Sequence, residues 1–278
     1  MRLEVRIKGI TFQFILQRHR VISMVETSDI IKYYNHRAAQ YGSAPGATLC
    51  DNNARDLEIA TAKKWIDKND VVLDIFCGHG LTSVKLANHC KYLIGIDLSP
   101  KMMAIAEKRQ YPGANFKFVF GDINNIDRLF KDGNITTVTS IRGLINLPSL
   151  DKQKQAIDKI YKLLPYGGKF ICIEGWKDGI DQINKFRADY ELNPIIIPWF
   201  DRYFNEEILN FILDKFTLSE DVDLSPYFLI SRVLYPAACS PDEPDFNSIC
   251  NIIARMSVSY LNSTSSCSLL KCLLFLKR

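Results

Sequence analysis

The apolar residues of this chain fall into two alternating patterns over most of its length. Apolar runs of strand length occur at 71–76, 92–97, 116–120, 136–141 and 169–174. Segments with a helical apolar period lie between them, at 81–90, 100–110, 126–130 and 152–164. Strands that alternate with helices in this way are typical of a parallel sheet covered on both faces. We therefore predict a doubly wound α/β fold.

Further elements extend this pattern at both ends. Before the first strand, two segments have a helical pattern, 30–41 and 53–67, separated by a Gly/Pro break at 42–46. After the fifth strand we expect a helix at 205–215, a strand at 217–223, a helical stretch at 246–260 and a last strand at 268–277. The pattern predicts one main α/β domain from residue 24 to 278, with helices ahead of its first strand.

The first 23 residues differ from the rest and have two interpretations. Their apolar positions alternate on either side of Lys8-Gly9, which is typical of a hairpin. Alternatively, the segment is a dispensable leader, because a second methionine follows at Met24. Five basic residues and one acidic residue lie here and supply the whole net charge of +4, so the remainder is neutral. A neutral body argues against a nucleic-acid partner, which requires a basic surface.

Composition narrows the class of protein further. No apolar run reaches the roughly 18 residues of a membrane helix, so we expect no membrane partner. The eight cysteines form no CxxC pair and have no histidine at zinc-ligand spacing. This argues for free thiols in a reducing cytoplasm and against a metal site. We predict a cytoplasmic enzyme, while the oligomeric state stays open.

The residues most informative about chemistry follow the first three strands. The first strand ends in Asp74 and runs into a turn that contains Gly78 and Gly80, then into a helix. Such a turn lets backbone amides approach a ligand closely. The second strand ends in Asp97, placed to bind ribose hydroxyls, and the third is followed by Asp122. Three acids at successive strand ends predict a nucleotide-like cofactor.

The motifs resemble those of the class I S-adenosylmethionine (AdoMet)-dependent methyltransferases over most of residues 28–278. LDIFCGHG, IGIDLSPKMMAIAEKR and FVFGDINNI resemble the family's first three motifs, and LLPYGGK resembles its turn into the fifth strand. The resemblance implies a mostly parallel seven-stranded sheet with an antiparallel last strand, helices on both faces and an N-terminal helical cap. It also implies AdoMet as cofactor and S-adenosylhomocysteine as product.

Cofactor contacts are implied residue by residue. Asp74 and the backbone from Phe76 to Gly80 would hold the methionine part, and Asp97 the ribose. The full set of cofactor residues implied is Asp74, Phe76, Cys77, Gly78, Gly80, Asp97, Leu98, Met102, Asp122, Ile123 and Arg142. Phe76 departs from the family pattern, which has glycine there. Structural interpretations also exist: Asp97-Leu-Ser-Pro fits a helix N-cap, and Met102 fits an ordinary core residue.

Acceptor contacts are less clearly indicated. A segment at 33–41 looks like the Y-x-x-x-A-x-x-Y cap of methyltransferases that act on small molecules, with Tyr34, Arg37 and Tyr41 as candidates. Asn146, beyond the fourth strand, and Trp176, beyond the fifth, occupy the expected ligand edge. Arg187, Trp199 and Tyr203 belong to an insertion at 181–204 that suits a lid, and a second insertion at 225–260 is expected to complete the pocket. Glu174 is the candidate to take a proton from the acceptor.

The sequence thus predicts methyl transfer to an oxygen or nitrogen of a small polar acceptor, such as a metabolite, sugar or natural product. It lacks the D/NPPY tetrad and the Pro-Cys dipeptide of nucleic-acid methyltransferases. Two alternatives remain. Gly78-x-Gly80-x-x-Ser83 followed by Asp97 also fits an NAD-dependent oxidoreductase, and Phe76 is compatible with a non-catalytic AdoMet-binding partner subunit.

Overall fold

The computed structural model describes residues 2–7, 10–15, 26–130, 134–239, 245–259 and 267–278. Near the amino terminus, strands β1 (Arg2–Ile7) and β2 (Ile10–Ile15) pair in antiparallel register. The predicted turn at Lys8-Gly9 and the proposed start at Met24 lie outside the described residues. Whether the first 23 residues form a separate extension stays a prediction.

Seven further strands form one sheet, and each corresponds to a strand predicted from the sequence. They are β3 (Val71–Ile75), β4 (Tyr92–Asp97), β5 (Phe116–Phe120), β6 (Thr137–Ile141), β7 (Lys169–Gly175), β8 (Phe216–Asp223) and β9 (Leu270–Lys277). Their order is β5-β4-β3-β6-β7-β9-β8. The pairs from β5 to β7 are parallel, whereas β9 runs antiparallel to both of its neighbours. The predicted fold class is confirmed.

Helices cover both faces of this sheet. They are α1 (Thr27–Tyr41), α2 (Asn52–Trp65), α3 (Leu81–Ala87), α4 (Pro100–Glu107), α5 (Ile126–Leu129), α6 (Leu150–Leu163), α7 (Lys177–Asp189), α8 (Glu206–Leu213), α9 (Ser225–Leu229), α10 (Tyr235–Cys239) and α11 (Ile249–Ser257). A π-helical segment, Ile230–Leu234, joins α9 to α10. Among the described residues, no helix has both the length and the apolar character needed to span a bilayer.

The core is divided by the sheet into two layers. Successive side chains of a strand point to opposite faces. Accordingly, Val72 belongs to one buried apolar cluster and Leu73 to the other, and Ile171 and Phe170 of β7 are separated in the same way. This burial on both faces explains why the strands are near-continuous apolar runs.

The chain order reverses between β3 and β6. The chain first adds β4 and β5 on one side of β3, and then returns to add β6 on its other side. The loops after β3 and β6 therefore diverge and leave a crevice at the carboxyl ends of the strands. The order of the strands in the sheet therefore favours a ligand site at this crevice.

The insertion at 225–260 packs away from that crevice. Tyr227 donates a hydrogen bond to Asp51, which caps the amino end of α2, at 2.7 Å, and Arg232 forms a buried ion pair with the same carboxylate. No described residue of this insertion lines the crevice cavity. The cavity lining thus gives no support, within the described part of the insertion, to the prediction that it completes the acceptor pocket.

Candidate functional site

A cavity of about 330 Å³ lies at the carboxyl ends of the central strands. Its lining comes from α1, from the loops that follow β3, β4, β5 and β6, and from residues 198–203. The volume is in the range of sites that enclose small ligands. It holds most, but not all, of the residues that the sequence singled out.

The loop after β3 forms one wall. Phe76, Cys77 and Gly78 line the cavity, and both Phe76 and Gly78 have positive φ, 57° and 56°. Gly80 does not line it. A Cβ on Gly80 would lie 2.5 Å from the Phe118 ring, so this glycine allows close packing at the start of α3 rather than ligand contact.

Asp97 joins this loop to the end of β4. Its carboxylate lines the cavity and accepts hydrogen bonds from the backbone amides of Gly78, at 2.9 Å, and Ser99, at 2.8 Å. Burial raises the pKa of Asp97, and these two hydrogen bonds oppose the rise. Leu98 also lines the cavity, so the β4 end contributes an acid and an apolar contact together.

Asp74 lies deeper, at the end of β3. It lines the cavity and accepts hydrogen bonds from the hydroxyls of Ser83, at 2.5 Å, and Thr139, at 2.7 Å. Burial raises the pKa of Asp74 to about 6. Each carboxylate oxygen keeps further lone pairs, so Asp74 can still accept a hydrogen bond from a ligand amino group.

The loop after β5 supplies the far end of this wall. Asp122 and Ile123 line the cavity, and one Asp122 oxygen accepts hydrogen bonds from the backbone and side-chain nitrogens of Asn124 at 2.8 and 2.9 Å. Met102, expected among the cofactor contacts, lies outside the cavity. It is fully buried with Ala38 between α1 and α4, which is the structural interpretation of that methionine.

Aromatic side chains form the opposite wall. Tyr33 and Tyr34 from α1 lie beside Phe200, with the Tyr33 and Phe200 ring centroids 4.3 Å apart. The Tyr34 hydroxyl donates a hydrogen bond to Asn146 Oδ1 at 2.8 Å, and Asn146 Nδ2 donates to the Arg142 carbonyl oxygen at 2.7 Å. Burial raises the pKa of Tyr34 well above its usual value, so the hydroxyl keeps its proton at neutral pH.

The other two α1 candidates do not reach the cavity. Arg37 donates to the carbonyl oxygen of Gly46 and lies over the Tyr41 ring, 4.3 Å from its centroid. The Tyr41 ring in turn packs against Gly46. Arg37 and Tyr41 therefore fix the turn after α1, which explains their helical spacing without a ligand.

Arg142 lines the cavity and forms an ion pair with Glu58, a residue that was not among the candidates from the sequence. Its φ is 54°, and its Nε donates to Glu58 Oε1 at 2.5 Å. Burial raises the pKa of the Glu58 carboxyl, and the adjacent guanidinium opposes the rise. Since Glu58 comes from the middle of α2, no local pattern could have paired it with Arg142.

Glu174 does not line the cavity. It is fully buried and accepts hydrogen bonds from the Ser140 hydroxyl at 2.5 Å and from the amides of Gly143 and Leu144 at 3.1 and 2.9 Å. Burial raises its pKa to about 7, against the effect of these hydrogen bonds. The expectation that it receives the acceptor's proton does not fit this position. Glu174 instead anchors the loop that carries Asn146.

Of the acceptor candidates that follow β7, one lines the cavity and three do not. Tyr203 lines the cavity, whereas Trp176 is buried behind it, with its ring centroid 5.6 Å from that of Phe204. Arg187 donates to carbonyl oxygens of Asn193 and Arg232, outside the cavity. Trp199 is 59% exposed and also lies outside it, so three of these four predicted acceptor contacts lack support from the geometry.

Several lining residues were missed by sequence reasoning. They are mostly from the cap, from α2 and from the segment before α8, and include Ile30, Tyr33, Thr48, Arg55, Glu58, Lys152 and Asp201. The one usable signal was the cluster of aromatic residues at 198–204, within the suspected lid, which contains Asp201. Apart from Thr48, which lies in the turn before α2, the others come from helices whose sequence shows only an amphipathic pattern.

Residues 72–168 match a family model described as a methyltransferase domain. The match runs from β3 to the turn before β7 and so includes all three strand ends with their acids. Residues 72–168 therefore form a methyltransferase domain, as the motifs predicted. This supports the predicted cofactor, because AdoMet is the methyl donor of such domains.

Two of the curated relatives of this methyltransferase have names that refer to quinones. A 2-phytyl-1,4-naphtoquinone methyltransferase of Nostoc sp. is 27% identical over 171 residues, which cover 58% of this chain and 72% of that protein. A demethylmenaquinone methyltransferase of Lactiplantibacillus plantarum is 33% identical over 117 residues, covering 41% of this chain and 48% of that protein. The chain thus spans only about half the length of the second relative.

Solved structures agree on the fold of this methyltransferase. The N-methyltransferase NodS from Bradyrhizobium japonicum WM9, in complex with S-adenosyl-L-homocysteine, matches with a TM-score of 0.55 at 14% identity. The match covers 88% of this chain and 98% of NodS. At this level of identity the likeness concerns the fold alone.

Proposed function

We propose that this methyltransferase moves the methyl group of AdoMet to a small aromatic acceptor that carries oxygen substituents. The observation that supports the proposal is one cavity with two unlike walls. One wall has acids and backbone groups from three successive strand ends, and the other has three aromatic rings. The first suits a polar nucleoside, and the second suits a flat apolar ring.

The first wall fits the cofactor part by part. Asp97 would accept the ribose hydroxyls, with Asp122 and Ile123 at the adenine. Asp74 and the backbone from Phe76 to Gly78 would hold the amino-acid part. The sulfonium supplies an electrophilic methyl group when AdoMet is bound, so the protein's task is to align the acceptor with it and to exclude water.

The second wall points to the class of acceptor. Tyr33 and Phe200 offer ring faces, while the Tyr34–Asn146 pair and Tyr203 offer hydrogen bonds to oxygen substituents. Named relatives act on naphthoquinone and menaquinone precursors, which are such molecules. The sequence predicted oxygen or nitrogen as the methylated atom. One relative, from Rickettsia prowazekii, is named a ubiquinone/menaquinone biosynthesis C-methyltransferase, so carbon is a further candidate for the methylated atom.

Two measurements test the proposed function. Calorimetric titration should give heat of binding with AdoMet and none with NAD. Incubation with AdoMet and 1,4-naphthohydroquinone, 1-naphthol or catechol should give a methylated product and S-adenosylhomocysteine by mass spectrometry. Glucose serves as the matched non-aromatic acceptor. Heat from NAD alone would support an oxidoreductase, and tight AdoMet binding without transfer to any probe would support a non-catalytic partner subunit.

A further inference from the structure

Asp201 is a cavity-lining acid that the cofactor does not account for. It lies between α7 and α8, beside the aromatic wall rather than at a strand end. Its Oδ1 atom is buried, and no described residue forms a hydrogen bond with it. An unpaired buried carboxylate oxygen is costly, so such an atom inside a ligand cavity indicates a partner supplied by the ligand.

The segment that carries Asp201 is fixed in place. The Asp201 amide donates to the Pro198 carbonyl oxygen at 3.0 Å. The next residue, Arg202, donates from its amide to the Ile145 carbonyl oxygen at 2.7 Å and accepts from Gln153 Nε2 at 2.8 Å. The backbone on both sides of Asp201 is therefore fixed where this residue lines the cavity.

Other acids of the cavity are already engaged. Asp74 accepts two hydroxyl hydrogen bonds, Asp97 accepts two backbone amides, and Asp122 accepts from Asn124. Glu58 is paired with Arg142. Among the cavity-lining carboxylates in the described ranges, Asp201 is thus the one with a buried oxygen left without a donor.

The charges around Asp201 adjust its proton affinity to neutral pH. Burial raises its pKa to about 7; the Arg142 guanidinium opposes this rise, and the Glu174 carboxyl adds to it. Tyr34 and Tyr203 also face it, and both have pKa values raised by burial and by the Asp201 charge. These phenols keep their protons at neutral pH, whereas Asp201 exchanges its own there.

We infer that Asp201 accepts the proton that a hydroxyl of the acceptor loses during methyl transfer, which makes the acceptor a hydroxyarene. This inference rests on the proposed function. The acceptor O–H bond breaks and its proton moves to the Asp201 carboxylate. The freed electron pair forms the new bond to the methyl carbon, and the carbon–sulfur bond breaks with its pair left on sulfur.

The balance is the same for either site of methylation. If oxygen attacks, the product is an aryl methyl ether. If the electron pair is delocalised and a ring carbon attacks, the proton on that carbon afterwards moves to the ring oxygen and restores the hydroxyl. In both cases one proton ends on Asp201 and leaves to solvent.

The test compares Asp201→Asn with Asp189→Asn, a change of an exposed acid on α7. With 1,4-naphthohydroquinone, kcat of Asp201→Asn should fall about 100-fold or more, while the Kd for AdoMet stays within about twofold. Wild-type kcat should rise as pH increases through about 7. The Asp201→Asn variant should lack this rise, and Asp201→Glu should restore part of it. An Asp201→Asn enzyme with wild-type kcat and the same rise would overturn the inference.

A binding measurement keeps the inference testable without turnover. Calorimetry of 1-naphthol binding in two buffers of different ionisation enthalpy, near pH 7, counts protons released. The wild type should release protons, because a hydroxyl donor favours ionised Asp201, and Asp201→Asn should release fewer. Equal proton release by both proteins would overturn the inference. Absence of methyl transfer from a wild type that passes this test would count against the proposed function alone.

Discussion

The two walls of the cavity differ in how far apart their residues lie in the chain. The wall assigned to the cofactor comes from three consecutive strand-to-helix connections, within residues 74–124. The aromatic wall combines α1, the loop after β6 and residues 198–203, so that Tyr34 and its partner Asn146 are 112 positions apart. The first wall is therefore a local feature of the motif, and the second exists only once the chain has folded.

The walls also differ in what holds them. The Gly78 amide of the first motif donates a hydrogen bond to Asp97 of the second, so consecutive motifs hold each other. The aromatic wall depends on Glu174, a buried acid outside the cavity that binds the amides of the loop carrying Asn146. A change to the cofactor wall should thus act on AdoMet binding alone. A change beneath the aromatic wall should act on stability and acceptor binding.

The largest effect is expected from Glu174→Gln. Glutamine keeps the Oε1 acceptor, but its NH2 group would take the place of Oε2 and face the Ile145 amide, which donates to Oε2 at 3.4 Å. Two buried donors would then lack an acceptor, so the free energy of unfolding should fall by about 3 kcal/mol at pH 5. The pKa of Glu174 is about 7 in the folded protein and about 4.5 ordinarily. The folded state therefore binds the proton more tightly, and this stabilisation is complete below about pH 4.5 and lost as pH rises through 7.

Urea unfolding of both proteins between pH 5 and pH 8 measures this effect. The difference in the free energy of unfolding between wild type and Glu174→Gln should shrink as pH rises. A difference that grows would contradict the conclusion that Glu174 binds a proton in the folded protein. Ser140→Ala, which removes one donor to the same carboxylate, is the companion change and should have a smaller effect. In both folded variants the Kd for AdoMet should stay near that of the wild type.

On the cofactor wall, Asp97→Ala should raise the Kd for AdoMet about 30-fold, or ~2 kcal/mol, because two ribose hydroxyls would lose a charged acceptor. Titration calorimetry measures this directly. Asp127→Ala, which changes an exposed acid paired with Lys159, is the control and should bind like the wild type. Unchanged affinity in a folded Asp97→Ala protein would argue that the cofactor lies elsewhere.

On the aromatic wall, Phe200→Ala should raise the KM for 1,4-naphthohydroquinone about tenfold, or ~1.4 kcal/mol, through the loss of one ring face. Trp199→Ala is the matched control, since the Trp199 ring lies next to Phe200 but is 59% exposed and outside the cavity. Steady-state kinetics at saturating AdoMet separates the two. Equal KM changes in both variants would mean that the wall does not contact the acceptor.

The smallest effect is expected from Tyr34→Phe. It keeps the ring and removes one hydrogen bond to Asn146, so kcat/KM should fall about fivefold, or ~1 kcal/mol. The control is Tyr166→Phe, a change at an exposed tyrosine. A loss above 100-fold would instead give the hydroxyl a direct part in the chemistry.

The errors of sequence reasoning concentrate where side chains had to be placed in three dimensions. Asp97 ends β4 and Met102 lies in the helix that follows, yet Met102 is buried under the cap and Asp97 lines the cavity. Glu174 ends its strand as predicted, but its side chain is sequestered by amides of a neighbouring loop. Helix ends were also extended too far, as in α3, which stops at Ala87 rather than residue 90.

The sequence by itself determined the strands and helices of the central sheet, the acids at three strand ends and, through these, the resemblance to methyltransferases. Apolar period and short motifs suffice for this, because their information lies within one strand, turn and helix. Only the tertiary structure decided which aromatic rings form the second wall, that Glu58 holds Arg142, and that Asp201 keeps an unpaired oxygen. These depend on contacts between distant segments, which local spacing does not specify.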